Sequence, residues 1–190
     1  MPLLIIISGP SCTGKTTLAS RLSRDFRLPL FCKDTFKEMM YDVAAPPEGP
    51  QAIPRDFSRL LGRMSIECLR IVLEALLPHG VSLIIESPLD RALFSPLLNQ
   101  FRERCEFRIV QVQLICDPDV LMERFIAREA ADRHPGHQGM QLIAEGGKEL
   151  RGALPPLDVE GELVSIDTTD FEGADYRSLY RVLTDHLKGT

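Results

Sequence analysis

The chain has 190 residues, 44% of them hydrophobic and 26% charged, with a net charge of −5. This length and balance suit one globular domain with a real core. The acidic excess argues against a partner held by many nucleic-acid phosphates, while leaving a short strand end open as a substrate. Five cysteines, at 12, 32, 68, 105 and 116, are odd in number, widely spaced and without a C-x-x-C pair, which favours reduced thiols in a cytoplasmic setting over a disulfide framework or zinc site. No apolar run approaches the roughly twenty residues of a membrane span, and the N-terminal run is too short for a signal-peptide core.

Residues 3–8 are apolar without alternation, the pattern of a buried parallel strand. They lead into Gly9-Pro10-Ser11-Cys12-Thr13-Gly14-Lys15-Thr16, which fits G-x-x-x-x-G-K-[ST] at every fixed position, and a helix follows to about residue 25. Strand, glycine loop and helix are the context in which this motif binds phosphate. Gly9 and Gly14 permit backbone angles that a side chain forbids. The loop N–H groups and the helix N-terminus then converge on phosphate oxygens. Gly9, Ser11, Cys12, Thr13, Gly14, Lys15, Thr16 and Thr17 are therefore the expected nucleotide contacts. Lys15 supplies a mobile charge for the β- and γ-phosphates, and the Thr16 hydroxyl suits a Mg²⁺ ligand.

A short second strand is expected at 28–32, with Pro29 near its start. A helix should begin at or after Asp34, a good N-cap type. Residues 44–54 hold four prolines and Gly49 and read as an extended loop. Residues 55–77 read as a long amphipathic helix. Phe57, Leu60, Leu61, Met64, Cys68, Ile71, Val72 and Ala75 recur at three- and four-residue steps and are its expected core face. A third strand at 81–85 ends in Glu86. A helix spans about 91–104, with Asp90 and Arg91 at its start, and a fourth strand covers 107–116. Gln111 and Gln113 in that strand need partners.

Asp117-Pro118 is a strong helix start. The helix it opens carries Arg124 and Arg128 on one face. The stretch 133–139 is too rich in glycine and proline to be helical; its His134 and His137 read as loop-shaping or substrate-contacting. A helix at about 140–150, a break at 152–156, a fifth strand at 163–166 and a last helix at 174–187 complete the chain. Alternating strands and helices indicate an α/β domain with a parallel sheet, whose ligands sit beyond the strands' carboxyl ends. The P-loop, Asp34, Glu86, Asp117 and Asp167 all fall there, and Asp167-Thr168-Thr169 stands where a base could come.

The P-loop, Asp34 with Lys37 after the second strand, and Arg124, Arg128 and Arg133 after the fourth together resemble the small P-loop kinases. That group includes nucleoside- and nucleotide-kinase-like proteins, the polynucleotide 5′-hydroxyl kinases, chloramphenicol phosphotransferase, the zeta-toxin kinases and AAA-domain-like ATP-binding kinases. The resemblance implies one P-loop NTPase domain over 1–190, a three-layer sandwich. Its five-stranded parallel sheet would have the order 2-3-1-4-5, with helices on both faces, an acceptor region at about 34–80 and a lid at about 128–140. It implies that Asp34 takes the acceptor's proton. Lys37 stands where the polynucleotide kinases carry an arginine that meets substrate phosphate; lysine offers a point charge instead of a fork.

Asp34, Lys15, Arg128 and Arg133 are thus the candidate catalytic residues. Arg124 joins the nucleotide contacts; Asp34, Lys37 and Glu86 are the candidate acceptor contacts. The expected activity is ATP- and Mg²⁺-dependent transfer to a small-molecule hydroxyl. The alternatives are a polynucleotide 5′-hydroxyl or nucleotide-sugar kinase, or a regulatory ATPase with no acceptor. No N-K-x-D base-reading motif of a GTPase occurs.

Overall fold

The computed structural model describes residues 1–44, 54–131, 134–137 and 151–188. Five parallel strands are β1 (Leu3–Ser8), β2 (Leu30–Cys32), β3 (Leu83–Glu86), β4 (Arg108–Ile115) and β5 (Glu162–Asp167). Their order is β2-β3-β1-β4-β5, as the resemblance implied. β1 lies at the centre because both its faces are apolar. Leu3, Ile5 and Ile7 face one layer and Leu4 and Ile6 the other, all at most 1% exposed.

Helices α1 (Lys15–Phe26) and α6 (Arg177–Lys188) cover the first face through Leu18, Leu22, Leu179 and Leu183. Helices α3 (Arg55–Leu76) and α4 (Arg91–Arg102) cover the second through Leu69, Leu73, Phe94 and Leu98. Helix α2 (Lys33–Ala44) stands aside and packs on α3, with Tyr41 against Leu61. Helix α5 (Pro118–Ala130) starts as expected: Asp117 accepts from the amides of Asp119 and Val120, and proline occupies its first turn. Among the described residues no helix is long and apolar enough to cross a membrane.

Two expectations fail. α2 begins at Lys33, so Asp34 lies inside its first turn and is not an N-cap. A carboxylate there still meets the positive end of the helix dipole. The stripe assigned to α3 is also rotated. Of the expected stripe, Leu61 is buried and Phe57 and Val72 pack against the core, but the buried face is Ser58, Leu61, Ser65, Leu69 and Leu73, while Leu60, Met64, Ile71 and Ala75 are exposed. Apolar spacing alone cannot choose between two adjoining stripes of one helix. The small serines that let α3 approach its neighbours look polar in a sequence, and Ser65 satisfies its hydroxyl on the Leu61 carbonyl at 2.6 Å.

Gln111 and Gln113 have the partners they need. Gln111 exchanges two hydrogen bonds with the Leu157 backbone, at 2.8 and 3.1 Å, and Gln113 donates to the Leu154 carbonyl. Buried amides thus bind residues 154–157 along β4 as a strap without secondary structure. Residues 45–53 of the expected loop, the expected helix at 140–150, and residues 132, 133 (Arg133) and 138–140 of the expected lid lie outside the described residues.

Candidate active site

The phosphate-binding loop is made by backbone angles. Gly9 has φ +150°, Cys12 +67° and Gly14 +83°. A Cβ on Gly9 would stand 2.5 Å from the Leu114 carbonyl oxygen, and one on Gly14 would overlap the ring of Phe171. Gly14 is the N-cap of α1, with no side chain capping the helix and no acidic residue in its first turn. The first amides of α1 therefore point toward the loop's concavity, where an anion is favoured. Thr13 and Lys15 both donate to the Pro10 carbonyl, at 2.9 and 2.7 Å.

Lys15 is only 8% exposed. Burial lowers its pKa, with Arg128 adding to the effect, while Glu86, Asp34 and Cys12 oppose it. Two carboxylates and an arginine from three other elements thus all act on the Lys15 ammonium. A cavity of ≈ 420 Å³ lies between Cys12 and residues 14–17 on one side and Arg124 and Arg128 on the other.

Glu86 is not the solvated strand end that a sequence reading allows. It is 4% exposed, and its Oε2 accepts from the Thr16 hydroxyl at 3.1 Å. It also pairs with the thiol of Cys32, its neighbour across the β2–β3 ladder. Burial raises the Glu86 pKa and Asp34 adds to that; Lys15, Thr16 and Cys32 pull it down. The Cys32 thiol is pushed up to about 12 by burial and by Glu86, so it is a hydrogen-bond donor and not a nucleophile. A hydroxyl beside a buried carboxylate is an all-oxygen donor set, the kind a hard divalent cation takes.

Asp34 is half-buried at the exit of β2, with Lys33 Nζ 3.4 Å from its Oδ1. Burial alone would raise its pKa. Lys33, His137 and Lys15 together outweigh that and hold it below the ordinary 3.8. Lys37, one turn on, donates to Ser58 Oγ of α3 at 2.9 Å.

Arg124 is engaged with the loop after β5, donating to the Thr168 and Thr169 carbonyls at 2.8 and 2.9 Å while still lining the phosphate cavity. Thr168 Oγ1 donates to the Ile115 carbonyl, and Asp117 N donates to Thr169 Oγ1. Asp117 and Asp167 are spent on local turns. That corner is therefore a clamp joining the ends of β4 and β5.

The fold brings further residues to this place, among them the two histidines expected to shape the loop or touch substrate. His137 Nε2 lies 2.8 Å from Glu38 and His134 Nε2 lies 2.9 Å from Asp42, joining the loop at 134–137 to α2. Ser58, Cys32 and Phe171 were missed. The four-residue spacing of Asp34, Glu38 and Asp42 was visible as one acidic helix face, but nothing local says what lies against it.

Comparison with known proteins agrees with this geometry. The family model described as an AAA domain matches residues 4–145. An inferred kinase from Chloroflexus aurantiacus is 34% identical, with 97% of this chain and 98% of that one covered and a TM-score of 0.84. A chain of the PezAT toxin–antitoxin system of Streptococcus pneumoniae is 16% identical over 79% of this chain and 57% of that one, with a TM-score of 0.53. A Janibacter sugar kinase is 15% identical over 88% and 85%, with a TM-score of 0.50. The last two share the fold alone. No curated protein matches the chain at a significant level. The family match spans most of the sequence, and the P-loop it contains is folded as a phosphate site, so the chain belongs to the AAA-domain family and is a small P-loop kinase-like protein that binds a nucleotide.

Proposed function

We propose that this protein is an ATP- and Mg²⁺-dependent kinase that transfers the γ-phosphate to a hydroxyl of a small molecule. One observation carries the reading. Asp34, a carboxylate held in its basic form, stands at the exit of β2 within electrostatic reach of the P-loop lysine. A nucleotide switch has no use for a base at that point, whereas transfer to an acceptor needs the nucleophile oriented and its proton removed.

In this reading Asp34 accepts the hydroxyl proton as the acceptor oxygen bonds to phosphorus and the bond to the ADP oxygen breaks. Lys15, Arg128 and Arg133 balance the charge on the phosphoryl oxygens. The amides of Gly9 and of residues 11–17 hold the nucleotide, and Arg124 fixes the loop beside it. Thr16 would hold Mg²⁺ and Glu86 would orient its water; bound there, the ion supplies charge neutralisation at the β- and γ-oxygens. Lys37 faces the acceptor. The setting is cytoplasmic.

The test is a screen with γ-labelled ATP across nucleosides, sugars, aminoglycosides, chloramphenicol-like alcohols and 5′-hydroxyl oligonucleotides. Label is expected in a small-molecule acceptor. Label on the oligonucleotides alone would move the reading to a polynucleotide kinase, and label released only as inorganic phosphate would favour a regulatory ATPase.

A further inference from the structure

The acidic face of α2 is matched by basic groups from a chain segment about a hundred residues away. Asp34, Glu38 and Asp42 follow at four-residue steps along α2, and the loop at 134–137 runs against them in the opposite sense. His137 reaches Glu38 at 2.8 Å and His134 reaches Asp42 at 2.9 Å. Four further contacts hold the loop. Gly136 N donates to His134 Nδ1, which leaves Nε2–H of His134 to donate to Asp42. His137 N donates to the His134 carbonyl at 3.1 Å. The Tyr41 and His134 rings meet edge to face, with centroids 5.3 Å apart. Ser58 Oγ, which Lys37 contacts, lies 3.5 Å from the Gly136 carbonyl. The two imidazoles differ in burial. The His134 side chain is 24% exposed, that of His137 only 7%.

We propose that His137 is a positioning residue of the transfer site, clamped by Glu38 so that its turn walls the acceptor side of α2 and its imidazole acts on Asp34. This rests on the kinase reading of Asp34. The physical content is charge. An imidazole is protonated in the range where carboxylates titrate. A cation fixed beside α2 therefore favours the ionised form of Asp34. Asp34 also contacts Lys33 on its own helix and is acted on electrostatically by Lys15 of α1, Cys32 of β2 and Glu86 of β3, while His137 contacts Glu38 and His134 and lies one helical turn along α2 from Asp34's position, within its electrostatic reach. Among the described residues His137 thus brings a contribution to Asp34 from outside the P-loop and the strand ends. A free imidazole would spread its charge over the solvent; the Glu38 contact and burial prevent that.

The experiment is a ¹³C titration of the Asp34 carboxyl in the full-length protein, assigned with Asp34→Asn. In His137→Gln the Asp34 titration should move upward by about half a pH unit or more, with the variant's melting curve recorded alongside. The shift should shrink when Glu38→Gln is already present, because the imidazole is then no longer held. The wild type alone gives a second measurement that needs no variant to fold: the Asp34 resonance should show a smaller second inflection where His137 itself deprotonates. In the transfer assay, His137→Gln should lose activity several-fold toward acid pH. An Asp34 titration that is indifferent to His137 overturns the proposal, as does a loss of transfer that is uniform across pH. The kinase reading fails separately, if Asp34→Asn transfers phosphate at the wild-type rate.

Discussion

The two halves of the candidate site are built in different ways. The nucleotide side is a piece of backbone. Residues 9–16 are consecutive, three of them at positive φ, and their shape depends on what a Cβ would strike. The proposed acceptor side is an assembly of side chains from distant places. Asp34, Glu38 and Asp42 on α2, Ser58 on α3 and His134 and His137 meet across separations of 78 to 99 residues. A site made of backbone is specified by one short motif and admits little change. One made of side chains can be re-aimed by single substitutions while the sheet stays as it is, so the choice of acceptor is free to change without the fold.

The strongest tests of that contrast fall on the nucleotide side. Lys15→Ala removes the one mobile cation inside the loop. ATP binding should weaken by about 1.5–3 kcal/mol, the worth of a charge-assisted contact, and transfer should fall by about 10²–10³ or more. Calorimetry with a non-hydrolysable analogue and single-turnover assays read both. A Lys15→Ala protein with wild-type affinity would dissolve the distinction between the halves. Gly14→Ala attacks the backbone itself. The left-handed angle alone costs about 1–2 kcal/mol, and the Phe171 ring must also move. Adding Phe171→Ala should restore part of the melting temperature, because the ring is the obstacle that can be removed. It should not restore ATP binding, because the φ strain remains. Full recovery of both would mean that the loop's shape is set by packing and not by its dihedral angles.

The same contrast explains what could be read from the chain. The P-loop, the Asp117 cap and the need of Gln111 and Gln113 for partners are local or periodic features, and they stand as expected, as does the sheet order that the resemblance to small P-loop kinases implied. The α3 face was misplaced because Leu60, Met64 and Ile71 form as regular an apolar stripe as the buried one. Only the position of α2 decides between them. Glu86 is legible as a candidate contact at a strand end, but not its burial or its partners Thr16, 70 residues upstream, and Cys32, on another strand, because neither leaves a local pattern. The histidines read as loop-shaping or substrate-contacting and no further, because a His–carboxylate pair between residues 99 positions apart leaves no local pattern.

On the acceptor side the largest effect belongs to Asp34. Asp34→Asn keeps size and shape but loses the proton acceptor, so ATP should bind nearly as before while transfer falls by about 10²–10⁴. A loose transition state, which asks little of a base early on, would place the loss at the lower end. The pH dependence has a definite sign. The folded-state pKa of Asp34 is depressed, so its contribution to stability is present above the unfolded value and is lost as pH falls through the folded one. The wild type should keep transfer activity to a lower pH than an ordinary carboxylate near 3.8 permits, provided the fold survives there. A pH–rate profile whose acid limb lies above that value would assign the limb to another group.

The smallest change sharpens the contrast most. Ser58 is 8% exposed on the α2-facing side of α3, and its hydroxyl receives Lys37 Nζ at 2.9 Å. Ser58→Ala removes that oxygen without adding bulk. Loss of one such contact costs about 1.5–3 kcal/mol when a charged group is involved, and the partly exposed lysine can recover some of it from water, so stability should change by about 1 kcal/mol. If Lys37 serves the acceptor, the loss of its anchor appears as a raised KM for that acceptor, with ATP affinity unchanged. A change in ATP affinity would mean that α3 reaches the nucleotide after all, and that the two halves are coupled through the helices and not only through the transferred phosphate. An unchanged KM with lower stability would leave Ser58 as packing. Lys37 would then be oriented by its other neighbours, and the wall made by His134 and His137 would be the acceptor-side feature that remains.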